Sequence, residues 1–189
     1  MSVFEYIVIA LAMGINLLVV FRPCAEYHRV RLTYGLFATF SVAIVYCLLF
    51  EGGMCLGHYI RFDSVNSPEL YSDVNGLVYF GLMVVVAIKL LAGRLKKNND
   101  PQVFDISRYG VVMMLAFATG VNVFLVGLAV GFEIAEIETW KALVPLFVIV
   151  FLLGYLSVML GRQKKAVRSR RWVLISVLLL LVSAIFRVV

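Results

Sequence analysis

The stretch LAFATGVNVFLVGLAVGF, residues 115–132, is apolar enough to cross a bilayer, yet it contains one asparagine, Asn122. An earlier apolar stretch, IALAMGINLLVVF at residues 9–21, contains Asn16 in a similar position. An amide in a lipid environment must find hydrogen-bond partners, because an unpaired one costs several kcal/mol. The two amides therefore either join neighbouring helices by hydrogen bonds or line a site for a solute.

The composition indicates which environment the chain occupies. Of its 189 residues, 63% are apolar and 15% are charged, against about 45–50% and about 25% in soluble domains. A water-soluble fold of this length cannot bury so much apolar surface, so the sequence predicts a single all-α integral membrane domain over residues 1–189. The net charge of +6 comes from basic residues between apolar runs and does not require a nucleic-acid partner.

Six segments have the roughly 17–25 mostly apolar residues that a spanning helix needs. They are Val3–Phe21, Leu32–Phe50, Gly76–Ala92, Gly110–Phe132, Trp140–Leu160 and Trp172–Val189. The first segment follows no basic start and contains Glu5, which predicts a retained helix and not a cleaved signal peptide.

The basic residues predict the orientation of these spans. Thirteen of the 17 Lys and Arg residues lie on one side, Arg61, Lys141 and Arg187 lie on the other, and Lys89 lies within a span near its basic end. Short basic loops stay in the cytoplasm, so both termini are predicted to lie outside. The chain is then expected in the plasma (inner) membrane, with a lipid-contacting surface and an acidic outer face.

The two asparagine helices predict an inverted repeat. An offset of 106 residues pairs Gly14 with Gly120 and Asn16 with Asn122, and CLGHY at residues 55–59 weakly matches MLGRQ at 159–163. Residues 1–97 and 104–189 would then be two three-helix repeats. Because each repeat has an odd number of spans, the second enters the membrane in the opposite sense, as in many secondary transporters with a midplane site.

Other residues on these helices suggest how such a site would be built. Gly14, Gly120 and the G-x-x-x-G pair Gly127 and Gly131 are typical of closely packed helices. Glu5 precedes Asn16 by eleven residues and Glu133 follows Asn122 by eleven, which is close to three helical turns. Each glutamate is therefore either part of an outer vestibule for cations or an ordinary interfacial acid.

The paired motifs LAMGIN and FATGVN, together with MLGR at residues 159–162, resemble the MntP-type manganese efflux family of the LysE-like exporter superfamily. The resemblance extends over the whole chain. It implies export of Mn²⁺, with Asn16 and Asn122 as metal ligands helped by Met13 and Thr119, and no further cofactor. In that family both motifs end in aspartate, and the second helix carries an acid where this chain is apolar near Val42.

These departures leave several functions open. Amide oxygens can bind hard cations but do not neutralise their charge. The chain is therefore expected to export a small cation by alternating access between the repeats, and the family resemblance implies that this cation is Mn²⁺. The alternatives are a carrier for a monovalent or zwitterionic solute and a membrane scaffold that transports nothing. The spans show no catalytic nucleophile or metal triad, which argues against an enzyme.

Overall fold

The computed structural model describes residues 3–28, 31–61, 68–95, 104–133, 139–162 and 169–188. Within these ranges the chain is helical, as predicted, apart from residues 31, 61 and 104–108. The helices are α1 (Val3–His28), α2 (Leu32–Ile60), α3 (Pro68–Leu95), α4 (Tyr109–Glu133), α5 (Thr139–Arg162) and α6 (Ser169–Val188).

In the described part of the chain, five helices are long and apolar enough to cross a membrane. The apolar part of α6, Trp172–Ile185, is shorter, and its crossing remains a prediction. Large apolar side chains such as Phe37, Leu48 and Met114 are mostly exposed on the outside of the bundle. This apolar exterior suits contact with acyl chains, and the protein is integral to a membrane.

The first three helices extend well beyond the predicted spans, and α3 begins at Pro68, where the span was expected to begin at Gly76. The second was expected to end at Phe50, before Glu51 and two glycines, but α2 continues to Ile60. A helical glycine costs about 1 kcal/mol relative to alanine. Here Gly53 and Gly57 contact the backbone of α4 directly, so tertiary packing offsets the poor local propensity. The first helix likewise continues through Pro23 to His28.

Helix α1 is the most buried of the five long apolar helices. In the apolar part of α1, 61% of the residues are buried, against 28% in the corresponding part of α5. Helix α1 packs against α5 and α6, α2 packs against α4 and α5, and α3 packs against α4 and α6. The two most extensive interfaces are α1–α5 and α2–α4. Asn16 and Asn122 therefore lie on helices that each have a different principal partner.

Candidate functional site

Both asparagines point into the protein. Asn16 and Asn122 are each only 8% exposed, although they lie on helices whose other faces are apolar and accessible. Neither amide therefore faces the acyl chains. In a membrane-spanning bundle this burial is what either a helix-joining amide or a site ligand requires.

The Asn122 amide lacks the partner that a purely structural role would supply. Its Oδ1 atom is buried and accepts no hydrogen bond from the described residues. A buried polar atom without a partner costs about 1–3 kcal/mol. Such an atom is best explained by water or a solute that binds to it. The observation favours a site over a hydrogen bond between helices.

Thr119 lies one helical turn from Asn122 and is partly buried. Its hydroxyl donates to the Leu115 carbonyl oxygen, 2.7 Å away. Because the proton is used within the helix, the lone pairs of the hydroxyl oxygen remain able to accept a hydrogen bond or contact a cation. Thr119 can therefore contribute a neutral oxygen to the same site.

Tyr46 is a further candidate site residue that the sequence did not reveal. It lies on α2, is fully buried, and its ring contacts Gly120, where an added Cβ would lie 3.9 Å from Cδ1. Its hydroxyl lies beside the Thr119 side chain but forms no hydrogen bond of acceptable geometry with any described residue. A lone tyrosine in an apolar helix gives no motif, so only the packing of α2 on α4 identifies it.

Tyr46, Thr119 and Asn122 together form what we call the α2–α4 polar cluster. It contains a phenol, a hydroxyl and an amide, and two of its oxygens are buried without partners. No group of three or more His, Cys, Asp or Glu side chains that could hold a metal occurs among the described residues. The oxygens at this site are therefore neutral and can contact a cation or its hydration shell without neutralising it.

The surroundings of Asn16 are apolar on the side of α1 that faces α5. Met13 lies one turn before Asn16 and is fully buried. Gly14 packs against Leu153 and Ile149 of α5, with an added Cβ 2.7 Å from the Leu153 Cδ1 atom. A thioether is a soft ligand that suits Mn²⁺ poorly. Toward α5 the amide of Asn16 therefore has apolar neighbours, and the hydroxyl of Ser176 approaches the same stretch of α1 from α6.

The predicted packing glycines lie at direct helix contacts. Gly120 packs against the Leu49 side chain, and a Cβ on Gly127 or Gly131 would overlap the backbone of α2 at Phe50 or Met54. Gly127 and Gly131 face the G-x-x-x-G formed by Gly53 and Gly57, so the backbones of α2 and α4 touch. This contact fixes the separation of the two helices that carry the polar cluster.

The two glutamates lie at the ends of their helices. Glu5 is in the first turn of α1, Glu133 is the last residue of α4, and each is partly exposed. Each takes part in a polar interaction. Their role as an outer vestibule stays a prediction.

The chain matches a family model described as "Mntp: Putative manganese efflux pump" over residues 29–186. The match includes the FATGVN motif and Asn122 but begins after the LAMGIN motif, so it is shorter than the resemblance over the whole chain that was expected. No curated protein and no solved structure matches the chain. The family is one of membrane transporters and not of enzymes. With most of its length matched, the chain belongs to the Mntp manganese efflux pump family.

Proposed function

We propose that this protein exports Mn²⁺ from the cytoplasm by alternating access, at a site formed by Asn16 and the α2–α4 polar cluster. The observation that carries the proposal is the pair of buried oxygens without partners, on Asn122 and Tyr46. Membership of the efflux family supplies the solute and the direction. The cytoplasmic placement of the basic loops and the outer placement of both termini follow the charge pattern.

The helix contacts support two repeats related by a twofold axis. Exchanging α1, α2 and α3 with α4, α5 and α6 turns the α1–α5 interface into α4–α2 and the α1–α6 interface into α4–α3. The α2–α5 and α3–α6 interfaces exchange with themselves. Every extensive interface between described helices is therefore reproduced by the exchange. This is the pairing expected of an inverted repeat.

Individual residues follow the same relation. An offset of 106 carries residues of α1 onto α4, and an offset of 104 carries residues of α2 onto α5. Three pairs of contacts are matched by these offsets: Gly14–Leu153 with Gly120–Leu49, Leu18–Ser157 with Phe124–Gly53, and Arg22–Gly161 with Leu128–Gly57. Random packing of apolar helices would not reproduce contacts at fixed offsets, so the matches support the repeat.

A site without charged ligands limits how far the bound cation can lose its hydration shell. Mn²⁺ prefers hard oxygen ligands, which amides and hydroxyls supply. Without a carboxylate, the protein offsets little of the cost of removing the ion from water. We therefore propose that the ion keeps much of its hydration shell, and that Asn122, Thr119 and Tyr46 contact it partly through water. Coordination of this kind is weak and suits release at the outer face.

Replacing the amides by carboxylates tests this proposal. In a host that lacks manganese export, the natural chain should lower cell manganese modestly. Asn122→Asp, and more strongly Asn16→Asp with Asn122→Asp, should lower it further, because the added charge stabilises the dehydrated ion. Cell manganese is measured by elemental analysis at equal protein level. Asn99→Asp, which adds the same charge in the connection before α4, is the control.

The result also separates the alternatives. A chain that lowers cell manganese in none of these forms is not a manganese exporter. If the natural chain changes the cell content of a monovalent ion instead, the carrier for a less charged solute is correct. No change in any ion would favour a scaffold.

A further inference from the structure

We propose that the exported ion leaves Asn16 for the outer face along a buried polar seam between α1, α3 and α6. The seam is defined by Asn16, Ser176, Ser183, Tyr79 and Asn75. The proposal rests on the transport function proposed above and assigns a path to it. All five residues are less than a tenth exposed, although they belong to apolar helices.

Helix α6 contributes two serines to the seam. Ser176 and Ser183 are seven residues apart, so they lie on the same face, about two turns from each other. The Ser176 hydroxyl donates to the Ala12 carbonyl oxygen of α1 at 2.8 Å. Ala12 lies one turn from Asn16 on the same face of α1. Ser176 is therefore positioned next to the part of α1 that carries the amide.

Helix α3 continues the seam toward the outer face. The Tyr79 hydroxyl and the Ser183 hydroxyl are 3.2 Å apart, and both residues are buried. Asn75 lies one turn before Tyr79, nearer the beginning of α3, and takes part in a polar interaction. In the proposed orientation the beginning of α3 and the end of α6 lie at the outer face. Hydroxyls and an amide thus occur at intervals from the level of Asn16 to that face.

The opposite half of the same interface is apolar. Beyond Tyr79, the buried residues of α3 are Met83, Val86, Ala87 and Leu90, and α6 contributes Val173. If the polar groups served only to join helices, no preference for one half of the membrane would be expected. Among the described buried residues of α3 and α6, none on the cytoplasmic side of Ser176 is polar, which indicates a path that opens outward and is sealed toward the cytoplasm.

The hydrogen bonds along the seam are compatible with opening. Each hydroxyl oxygen retains lone pairs after it has donated, so water or a hydrated ion can replace the Tyr79–Ser183 and Ser176–Ala12 contacts without leaving an oxygen unpaired. In an apolar interface, water or an ion would find no oxygen to bind in place of the contacts that it breaks. The seam is closed in the conformation described here and opens as water enters it.

Cysteine accessibility tests the seam directly. In a chain without Cys24, Cys47 and Cys55, Ser176→Cys and Ser183→Cys are treated from outside the cell with a membrane-impermeant thiol reagent. A thiol in a hydrated path reacts as its thiolate, whereas a thiol in an apolar interior is inert. We expect Ser183→Cys to react at least about tenfold faster than Ala184→Cys, a buried control at the same depth. Val86→Cys, in the sealed half, should stay unlabelled.

The outcomes separate the seam from the transport function. If Ser176→Cys and Ser183→Cys react no faster than Ala184→Cys, the seam is a dry helix interface and the inference is wrong, even when the cysteine-free chain exports manganese. If both react quickly in a chain that exports no manganese, the path stands and the assigned solute is wrong. Elution of each variant as a single species in detergent shows that it is folded.

Discussion

The α2–α4 interface and its counterpart α1–α5 are built from different residues at equivalent positions. Gly53 and Gly57 of α2 touch the α4 backbone at Phe124 and Leu128. The matching positions on α5 are Ser157, whose hydroxyl donates to the Leu18 carbonyl oxygen at 2.9 Å, and Gly161. Gly127 and Gly131 of α4 are matched on α1 by Phe21 and Ala25. One interface is a contact of two backbones, and the other includes larger side chains and a hydrogen bond.

The same asymmetry extends to the site. Thr119 lies one helical turn from Asn122, and the Tyr46 hydroxyl lies beside the Thr119 side chain. At the positions that match these two hydroxyl-bearing residues lie Met13 and Val150, both fully buried and apolar. The side with the closest helix contact therefore carries most of the oxygens. In the proposed site, α2 and α4 would hold the ion as a fixed pair, and α1 would contribute Asn16 from a separately packed helix.

The glycine contact should give the largest effect on stability. In Gly57→Ala the new Cβ would overlap the Leu128 carbonyl oxygen and approach Gly131. Both obstacles are backbone, so the helices must separate. We expect a loss of about 3 kcal/mol in the free energy of unfolding, measured by thermal denaturation in detergent. Gly52→Ala is the matched control, because a Cβ there meets nothing within 4 Å. Equal melting temperatures for the two variants would contradict a rigid α2–α4 contact.

Two buried tyrosines should give an effect of intermediate size on the free energy of unfolding. Tyr46 and Tyr79 are both fully buried, but only the hydroxyl of Tyr79 has a partner, Ser183. Tyr79→Phe should therefore cost about 1 kcal/mol of unfolding free energy, and Tyr46→Phe should leave it unchanged or raise it slightly. Manganese export should nevertheless fall in Tyr46→Phe. A loss of stability in Tyr46→Phe equal to that in Tyr79→Phe would assign Tyr46 a structural role only.

The hydrogen bond of α1–α5 should give the smallest effect. Ser157→Ala removes the donor to the Leu18 carbonyl oxygen, and bonds of this kind between membrane helices average about 0.6 kcal/mol. The same denaturation measurement should find a loss near that value. If Ser157→Ala lost as much unfolding free energy as Gly57→Ala, the two interfaces would be equally sensitive to substitution. That result would contradict the asymmetry argued above.

The sequence predicted where the helices lie better than it predicted which side chains meet between them. Hydropathy located the apolar spans because bilayer thickness fixes their length, and the G-x-N motif located both asparagines. The sequence pattern ended the second helix too early, because the low helix propensity of Gly53 and Gly57 takes no account of the packing against α4 that stabilises them. It could not find Tyr46 or the seam serines, since hydroxyls in an apolar helix form no periodic motif and become informative only when the neighbouring helix is known.

The central claim is that the protein transports manganese across the membrane and that the neutral oxygens of Asn122 and its neighbours bind the ion on the way. Flux into proteoliposomes that contain a dye quenched by Mn²⁺ tests it most directly. The natural chain should admit manganese, and Asn122→Leu, which is nearly isosteric but lacks Oδ1, should reduce the initial rate by about tenfold or more. Gly52→Ala should keep the natural rate. A natural chain that admits no manganese, or an Asn122→Leu variant with full flux, would contradict the account.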